Sequence, residues 1–445
     1  MIFWFTILGL MVCMIHGDTH TNQYAREHPS AIAPRRSLSE EAQVTTLAGS
    51  DSCAFADGTG AAASFDNPYG VAISRDGTTM YVSDLVNHRI RKIDVATAAV
   101  TTLAGSGSAG YADGTGVAAS FNYQYAVALS PDDTTLYVAD ESNHRIRTID
   151  LGTAAVTTLA GSGSATFADG TGAAASFYRP AGVVVSPDGT TLYVGDKYNH
   201  RVREIDLATA AVTTLAGSGS ATFADGSTGS AASFNRPAGV ALSPDGTTLY
   251  VADGKNNRVR QVDVATGATT TLAGSSEGFA DGTGGAASFY QPVGVTISPD
   301  PDGTTLYVAE DKNHRIREID LATAAVTTLA GSGSATFADG TGAAASFSWP
   351  ADMAASPDGT ALYVADPVNC RIRKITLPCV QTSTCEGRAP DPSPPSPPTS
   401  PPRAPPKGIH LADEDAGIHF GPNFECKLGF EAGPPPKLVS SCVIE

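Results

Sequence analysis

The sequence predicts an all-β fold built by repetition, and three observations predict it. A closing VTTLAGS-type stretch begins at Val44, Val100, Val156, Val212, Thr269 and Val326, at successive spacings of 56, 56, 56, 57 and 57 residues. A fixed period of this size belongs to propellers and arrays. Each unit also carries four short runs rich in Val, Ile, Thr and Tyr, at residues 182–186, 191–195, 201–206 and 211–216 of the third unit. Runs of this length bounded by Pro, Gly and Asp read as strands. No window holds a 3.6-residue period long enough for a helix. A four-stranded antiparallel sheet repeated in series becomes a solenoid or a radial propeller. The first run of each unit is built from Gly, Ala and Val, small enough for a crowded axis. The prediction is a six-bladed β-propeller of four-stranded blades.

Within a unit the elements follow from local chemistry. Ser186-Pro187-Asp188-Gly189-Thr190 is a tight hairpin turn, with Pro187 fixing the entry and Gly189 free to take positive φ. Unit four gains a residue at Ser227-Thr228, and unit five gains Pro301-Asp302 while losing one before Phe279. Residues 44–48 are an outer-strand sequence with no blade before them, and the last unit ends at residue 376 without an outer strand. The two halves complete one another, so the N-terminal strand is expected to close the ring and leave no open edge at the seam.

The flanks carry different signals. Residues 2–15 form an apolar run, short of the roughly 20 residues a membrane span needs. It reads as a secretory signal peptide over residues 1–17, with a retained anchor as the alternative. A flexible segment over 18–43 follows, then the propeller over 44–378 and a junction over 379–388. Residues 389–407 hold ten prolines in nineteen positions, a stiff polyproline II spacer that resembles in composition the linkers of plant and algal wall glycoproteins. The tail over 408–445 has no recognisable motif. Net charge is −17, which argues against nucleic acid, since phosphates demand clustered Lys and Arg. The expected mature chain is an exported, monomeric propeller without a membrane span.

Loss of Cys13 with the signal peptide leaves six cysteines, an even number for an oxidising compartment. Cys379 with Cys385 and Cys426 with Cys442 are local pairs, which leaves Cys53 and Cys370 for a disulfide across the seam.

The run Pro-x-Gly-Val-Ala, then Tyr137-Val138-Ala139-Asp140 and Asn143-His144-Arg145-Ile146, resembles the NHL repeat over roughly residues 44–378. The resemblance implies a six-bladed propeller. Such propellers bind proteins, RNA or small ligands, and a few relatives are enzymes, so function has to be read from the site. The Leu-Ala-Gly-Ser…Phe-Ala-Asp-Gly-Thr-Gly…Ser-Phe insert between blades is an elaboration on the usual repeat.

Several recurring residues have structural readings. Asp84/Arg89, Asp140/Arg145, Asp196/Arg201, Asp253/Arg258, Glu310/Arg315 and Asp366/Arg371 recur five apart in every blade. They read as structural hydrogen bonds or ion pairs bracing the turn between second and third strands. His88, His144, His200 and His314, with Asn257 and Cys370 at the equivalent positions, lie on separate blades. They cannot converge on one metal at the ~2.0–2.3 Å that zinc needs. Asp57, Asp113, Asp169, Asp225, Asp281 and Asp339 each precede Gly in an insert and read as turn residues bonded to their own backbone. One carboxylate per loop falls short of the usual calcium shell, and a weak calcium site completed by backbone carbonyls is the alternative. No Ser/His/Asp set, nucleophile elbow, phosphate loop or dinucleotide fingerprint appears, and no cofactor is expected.

The informative positions are those where near-identical repeats differ. Two residues after each Ser-Phe stand Asn67, Tyr123, Arg179, Arg236, Gln291 and Trp349, while Asp352 replaces a Gly of the other units. These residues are expected to ring the channel mouth as a surface for protein or glycan ligands. The function predicted is a non-catalytic binding or scaffold module. The alternative is a lactonase-like or amidating-lyase-like enzyme with a metal in the channel.

Overall fold

The computed structural model describes residues 41–300, 303–378, 425–431 and 437–443. The expected signal peptide, the Pro-rich spacer, Cys379 and Cys385 lie outside the described residues. Six antiparallel sheets are arranged as blades. In the third, Pro180–Val185 is the inner strand, followed outward by Thr191–Asp196, Arg201–Asp206 and Ala211–Ala216.

The second strand is buried on both faces from Leu192 to Asp196, because each blade is covered by a neighbour on either side. That is why TLYVGD reads as a continuous apolar run and not as an alternation. The core is therefore a ring of inter-blade layers. One layer joins Tyr137, Ala139 and Ile146 of the second blade to Phe177, Leu192, Val194 and Ile205 of the third. Each layer holds a fully buried Phe from its Ser-Phe pair: Phe65, Phe121, Phe177, Phe234, Phe289 and Phe347. Each such ring stabilises by about 1.5–3 kcal/mol relative to exposure.

Small residues at the axis are a steric requirement. A Cβ on Gly182 would stand 2.3 Å from the Ala238 carbonyl oxygen, and one on Gly239 would stand 2.4 Å from that of Val293. Asp352 occupies the same position in the sixth blade, where the inner strand is shortened to Met353–Ala355.

The ring closes as the sequence implies. Gln43–Gly49 pairs with Arg371–Thr376, placing Val44 opposite Ile375 and Gly49 opposite Arg371. The blades are richer than four strands in one respect. Each insert lays a two-residue strand along the outer edge of its own blade, as Gly58–Thr59 does against Ala99 and Val100. This covers part of an edge that would otherwise be open to pairing. The fourth blade is the exception. Its inserted Ser227-Thr228 leaves only a single bridge, Gly226 to Thr269.

The tail is a second unit. In it Glu425–Glu431 and Lys437–Val443 form an antiparallel hairpin whose register sets Cys426 opposite Cys442.

Candidate binding face at the channel mouth

The recurring carboxylates are anchored differently from the expectation. Asp84 and Arg89 are indeed cross-strand partners in the backbone register, but the ion pair is made by Arg91, at 2.7 Å from Asp84. The same holds for Asp140 with Arg147, Asp196 with Arg203, Asp253 with Arg260, Glu310 with Arg317 and Asp366 with Arg373. The physical reason is direction. The Arg89 side chain runs outward to stack on Phe55, 3.9 Å from its ring centre. Arg91, two residues on and facing the same side, is fully enclosed between Phe55 and Phe65.

Arg91 also corrects the reading of the inserts. Its second terminal nitrogen reaches Asp57 at 2.6 Å and the Ala56 carbonyl at 2.8 Å. The Asp-Gly carboxylates thus hold the inserts down on the blades, and do not merely close their own turns. Burial pushes Asp84 and Asp196 up to about 6, against the pull of the backbone N–H, Asn and Arg around each. Both are still carboxylates at neutral pH.

The repeated histidines join one blade to the next. His88 Nδ1 accepts the backbone N–H of Tyr123 at 3.4 Å, and His144, His200 and His314 do the same for Arg179, Arg236 and Trp349 at 3.2 Å. Asn257 Oδ1 replaces the imidazole for Gln291 at 3.0 Å. An accepting Nδ1 puts the proton on Nε2, so these imidazoles work as neutral groups. Burial holds all four below the ordinary histidine range. At the sixth junction Cys370 stands in the histidine position and is disulfide-bonded to Cys53, with Cα atoms 5.3 Å apart.

The mouth of the channel is formed by two loops per blade. The loop entering the inner strand hydrogen-bonds the loop between second and third strands, as Leu85 N–H does to the Asn67 carbonyl. Asn67, Tyr123, Arg179, Arg236, Gln291 and Trp349 all take left-handed backbone, with φ between 52° and 60°. That conformation is uncommon for non-glycine residues, and at five of the six positions a junction hydrogen bond holds it. Tyr123, Arg179 and Trp349 are exposed. Arg179 and Arg236 both lie over the Tyr198 ring, at 5.4 and 4.7 Å, and Tyr198 leans on Tyr178 at 5.2 Å. Lys312 sits 3.4 Å from the centre of the Trp349 ring. Asn67 and Gln291 make no side-chain hydrogen bonds among the described residues.

Inside this ring lies a second set of side chains that the repeats do not share. Tyr69 and Tyr125 stack with ring centres 4.0 Å apart and join hydroxyl to hydroxyl. Lys197 lies 4.2 Å from the Tyr125 ring and 3.4 Å from Glu141. Burial opposes its charge, but Tyr125 and Glu141 prevail and hold Lys197 above the ordinary range. Burial raises Asp311, with Lys312, Lys197 and Lys255 pulling it back. Asp352 points into the channel and accepts the Val71 N–H at 3.3 Å. Burial pushes it up to about 7. Below the mouth the channel narrows between Tyr69, Tyr125, Gly182, Gly239, Val293 and Ala351 to room for about one water. A ligand larger than that meets the mouth and not the bore.

Glu141, Lys197 and Asp311 were missed in the sequence, although a signal marked them. They all follow the Asp or Glu that ends the second strand, where the repeats read Leu85, Glu141, Lys197, Gly254, Asp311 and Pro367. Among the described residues no cluster of three or more His, Cys, Asp or Glu could hold a metal ion. Likewise, no described helix is long and apolar enough to cross a membrane.

Comparison with known proteins agrees with this architecture. The NHL repeat family model matches residues 177–205 and 234–262. The chain is 32% identical over 322 residues to Protein SUPPRESSOR OF QUENCHING 1, chloroplastic, of Arabidopsis thaliana, covering 70% of this chain and 30% of that protein. It is 29% identical over 346 residues to human NHL repeat-containing protein 2, covering 70% of this chain and 46% of that one. The chain thus spans less than half the length of these two relatives. An auxiliary nutrient binding protein from Bacteroides thetaiotaomicron shares the fold, with a TM-score of 0.60 at 18% identity over 76% of this chain and 77% of that one. Six closed blades, the repeated Asp-Asn-Arg scaffold and these matches converge: the chain is a six-bladed β-propeller that carries NHL repeats.

Proposed function

We propose that the propeller is a non-catalytic binding module, exported and tethered through its Pro-rich segment, whose channel-mouth face takes up a protein or glycan ligand. One observation carries this reading. Blades that share their packing residues almost one for one diverge in the two loops that face the mouth, where aromatic, Arg, Lys and carboxylate side chains stand side by side. Packing asks for the same residue in every blade, whereas recognition of an asymmetric ligand asks for six different ones. The Cys53–Cys370 disulfide supports an oxidising compartment. An enzyme of the metal-in-channel kind needs several unlike ligands on the inner strands, and Asp352 is the single carboxylate among the described ones.

The test is Trp349→Ala with Tyr123→Ala in the full chain, screened against peptide and glycan arrays. Capture should be lost while the melting temperature stays within a few degrees, since both side chains are exposed. Survival of binding in the double variant would move the site elsewhere. Stoichiometric, tightly held metal in the purified protein would favour the enzyme instead.

A further inference from the structure

The ring residues are not equivalent in what they leave unsatisfied. In the third blade the Arg201 guanidinium reaches the carbonyls of Asn199 and Ser218, and Arg203 holds Asp196, Asp169 and two carbonyls. Arg179 and Arg236 differ. Neither guanidinium has a hydrogen-bonded acceptor or an acidic partner among the described residues. Both are nevertheless held in place, each by a left-handed backbone pinned to a histidine of the preceding blade. Both are stacked on the one Tyr198 ring, which Tyr178 in turn supports.

Two guanidiniums ordinarily repel. Bringing them to one aromatic ring gathers positive charge on a protein of net charge −17, and nothing in the packing requires it. Stacking leaves the N–H edges of a guanidinium free, and that edge is the fork that matches a carboxylate with two parallel hydrogen bonds. Lys255 is exposed on the next loop, and its backbone N–H is bonded to the Asn235 carbonyl beside Arg236. Across the mouth the character changes. On the sixth blade Trp349 and Val368 are exposed at 47% and 49%, and half-buried Val86 stands at the equivalent loop position of the first.

Resting on the binding-face reading above, we propose that Arg179 and Arg236 form a carboxylate clamp. Its ligand is an extended acidic segment of a protein partner, laid across the channel mouth. The acidic side chains meet the two guanidiniums, and apolar neighbours in the segment meet Trp349 and Val368. The aliphatic half of the face favours a peptide over a carbohydrate. Trp and Arg are the residues that dominate protein–protein hot spots, and the exposed Val368 beside them offers an apolar contact and no hydrogen bond to a carbohydrate hydroxyl.

Panning a random peptide library on the full chain tests the clamp. Enriched peptides should carry an excess of Asp and Glu beside apolar residues. Arg179→Met with Arg236→Met keeps the stems packed on Tyr198 and removes the forks, and should weaken a selected peptide at least about tenfold. Changing the peptide's acids to amides should do the same in the wild type. Arg→Lys at both sites should recover only part of the affinity, and equal melting temperatures would confirm that all variants fold. Three results would overturn the clamp: peptides without acidic excess, unchanged binding to the Met variant, or no enrichment at all. Binding that ignores the Met variant but is lost in Trp349→Ala/Tyr123→Ala removes the clamp and leaves the face. Binding that ignores both removes the face as well. Arg-dependent capture of uronate oligosaccharides, with no peptide selected, would overturn the peptide assignment.

Discussion

Opening the Cys53–Cys370 bond measures what closes the ring. The bond joins residues 317 apart in sequence, so reduction returns to the unfolded chain the freedom of a very large loop. The chain-entropy relation gives about 6 kcal/mol at 25 °C for that length, an upper bound because an unfolded chain is already partly compact. The other five junctions set the scale for comparison. Each uses one hydrogen bond, donated by the backbone N–H of the next blade to a His or Asn side chain, worth about 1 kcal/mol. Cys53→Ser with Cys370→Ser should therefore lose several kcal/mol in guanidinium unfolding, and the wild type should lose the same with reductant. Cys53→Ser with Cys370→His places at the seam the acceptor used elsewhere, and should recover about 1 kcal/mol by satisfying the Asn67 N–H. A double Ser variant within about 0.5 kcal/mol of wild type, below the worth of one hydrogen bond, would refute the reasoning. The seam would then be held by the pairing of Gln43–Gly49 with Arg371–Thr376 alone.

Two further outcomes follow from the scaffold. Arg203→Met strands the fully buried Asp196, and denaturant titration should register a loss of about 3–5 kcal/mol; Asp169→Asn, which removes only the half-exposed partner, should cost less than about 1 kcal/mol. His144 binds its proton less readily folded than unfolded, so its junction stabilises in full above the unfolded value near 6.5 and weakens as pH falls below it. The Asp84-type carboxyls act in the opposite sense between their unfolded value near 3.8 and about 6. His144→Asn, which copies Asn257, should accordingly be compared with wild type in thermal melts at each pH. The variant should gain relative stability below pH 6.5, and parallel melting curves would contradict the neutral-imidazole junction.

The fold was legible because packing repeats. Leu-Tyr-Val strands, Ser-Pro-Asp-Gly turns and the unmatched strand at Val44 each state a local requirement, and six copies remove the ambiguity of one. The seam disulfide was legible for a related reason, since Cys370 breaks a histidine series at the blade that the N-terminal strand completes. Side-chain direction was harder to read. The interval of five between Asp84 and Arg89 located the backbone partner correctly, but which of two arginines turns inward depends on Phe55 and Phe65, which arrive from the insert. The partners of the histidines lie 35 to 36 residues away on the next blade, beyond any local pattern. Lys197, Glu141 and Asp311 stood in plain view as divergent positions, but only closure of the ring brings three separate blades to one mouth.

The same closure explains how one repeat can be rigid and specific together. At each junction the histidine series and the ring residues meet through a backbone N–H, so the bond is indifferent to the ring side chain. Tyr, Arg, Gln and Trp all sit at that position with φ near 55° and with the same partner geometry. The fold holds the main chain and leaves the side chain uncommitted. Where the acceptor itself changes, to Asn257 or to a disulfide at Cys370, the junction is still made. Divergence at the mouth therefore carries little structural penalty, whereas divergence at Arg203 or Phe177 would open the core. In a chain of near-copies, positions free to vary beside positions fixed by burial are where binding specificity can accumulate. Here they converge on Arg179, Tyr198 and Arg236.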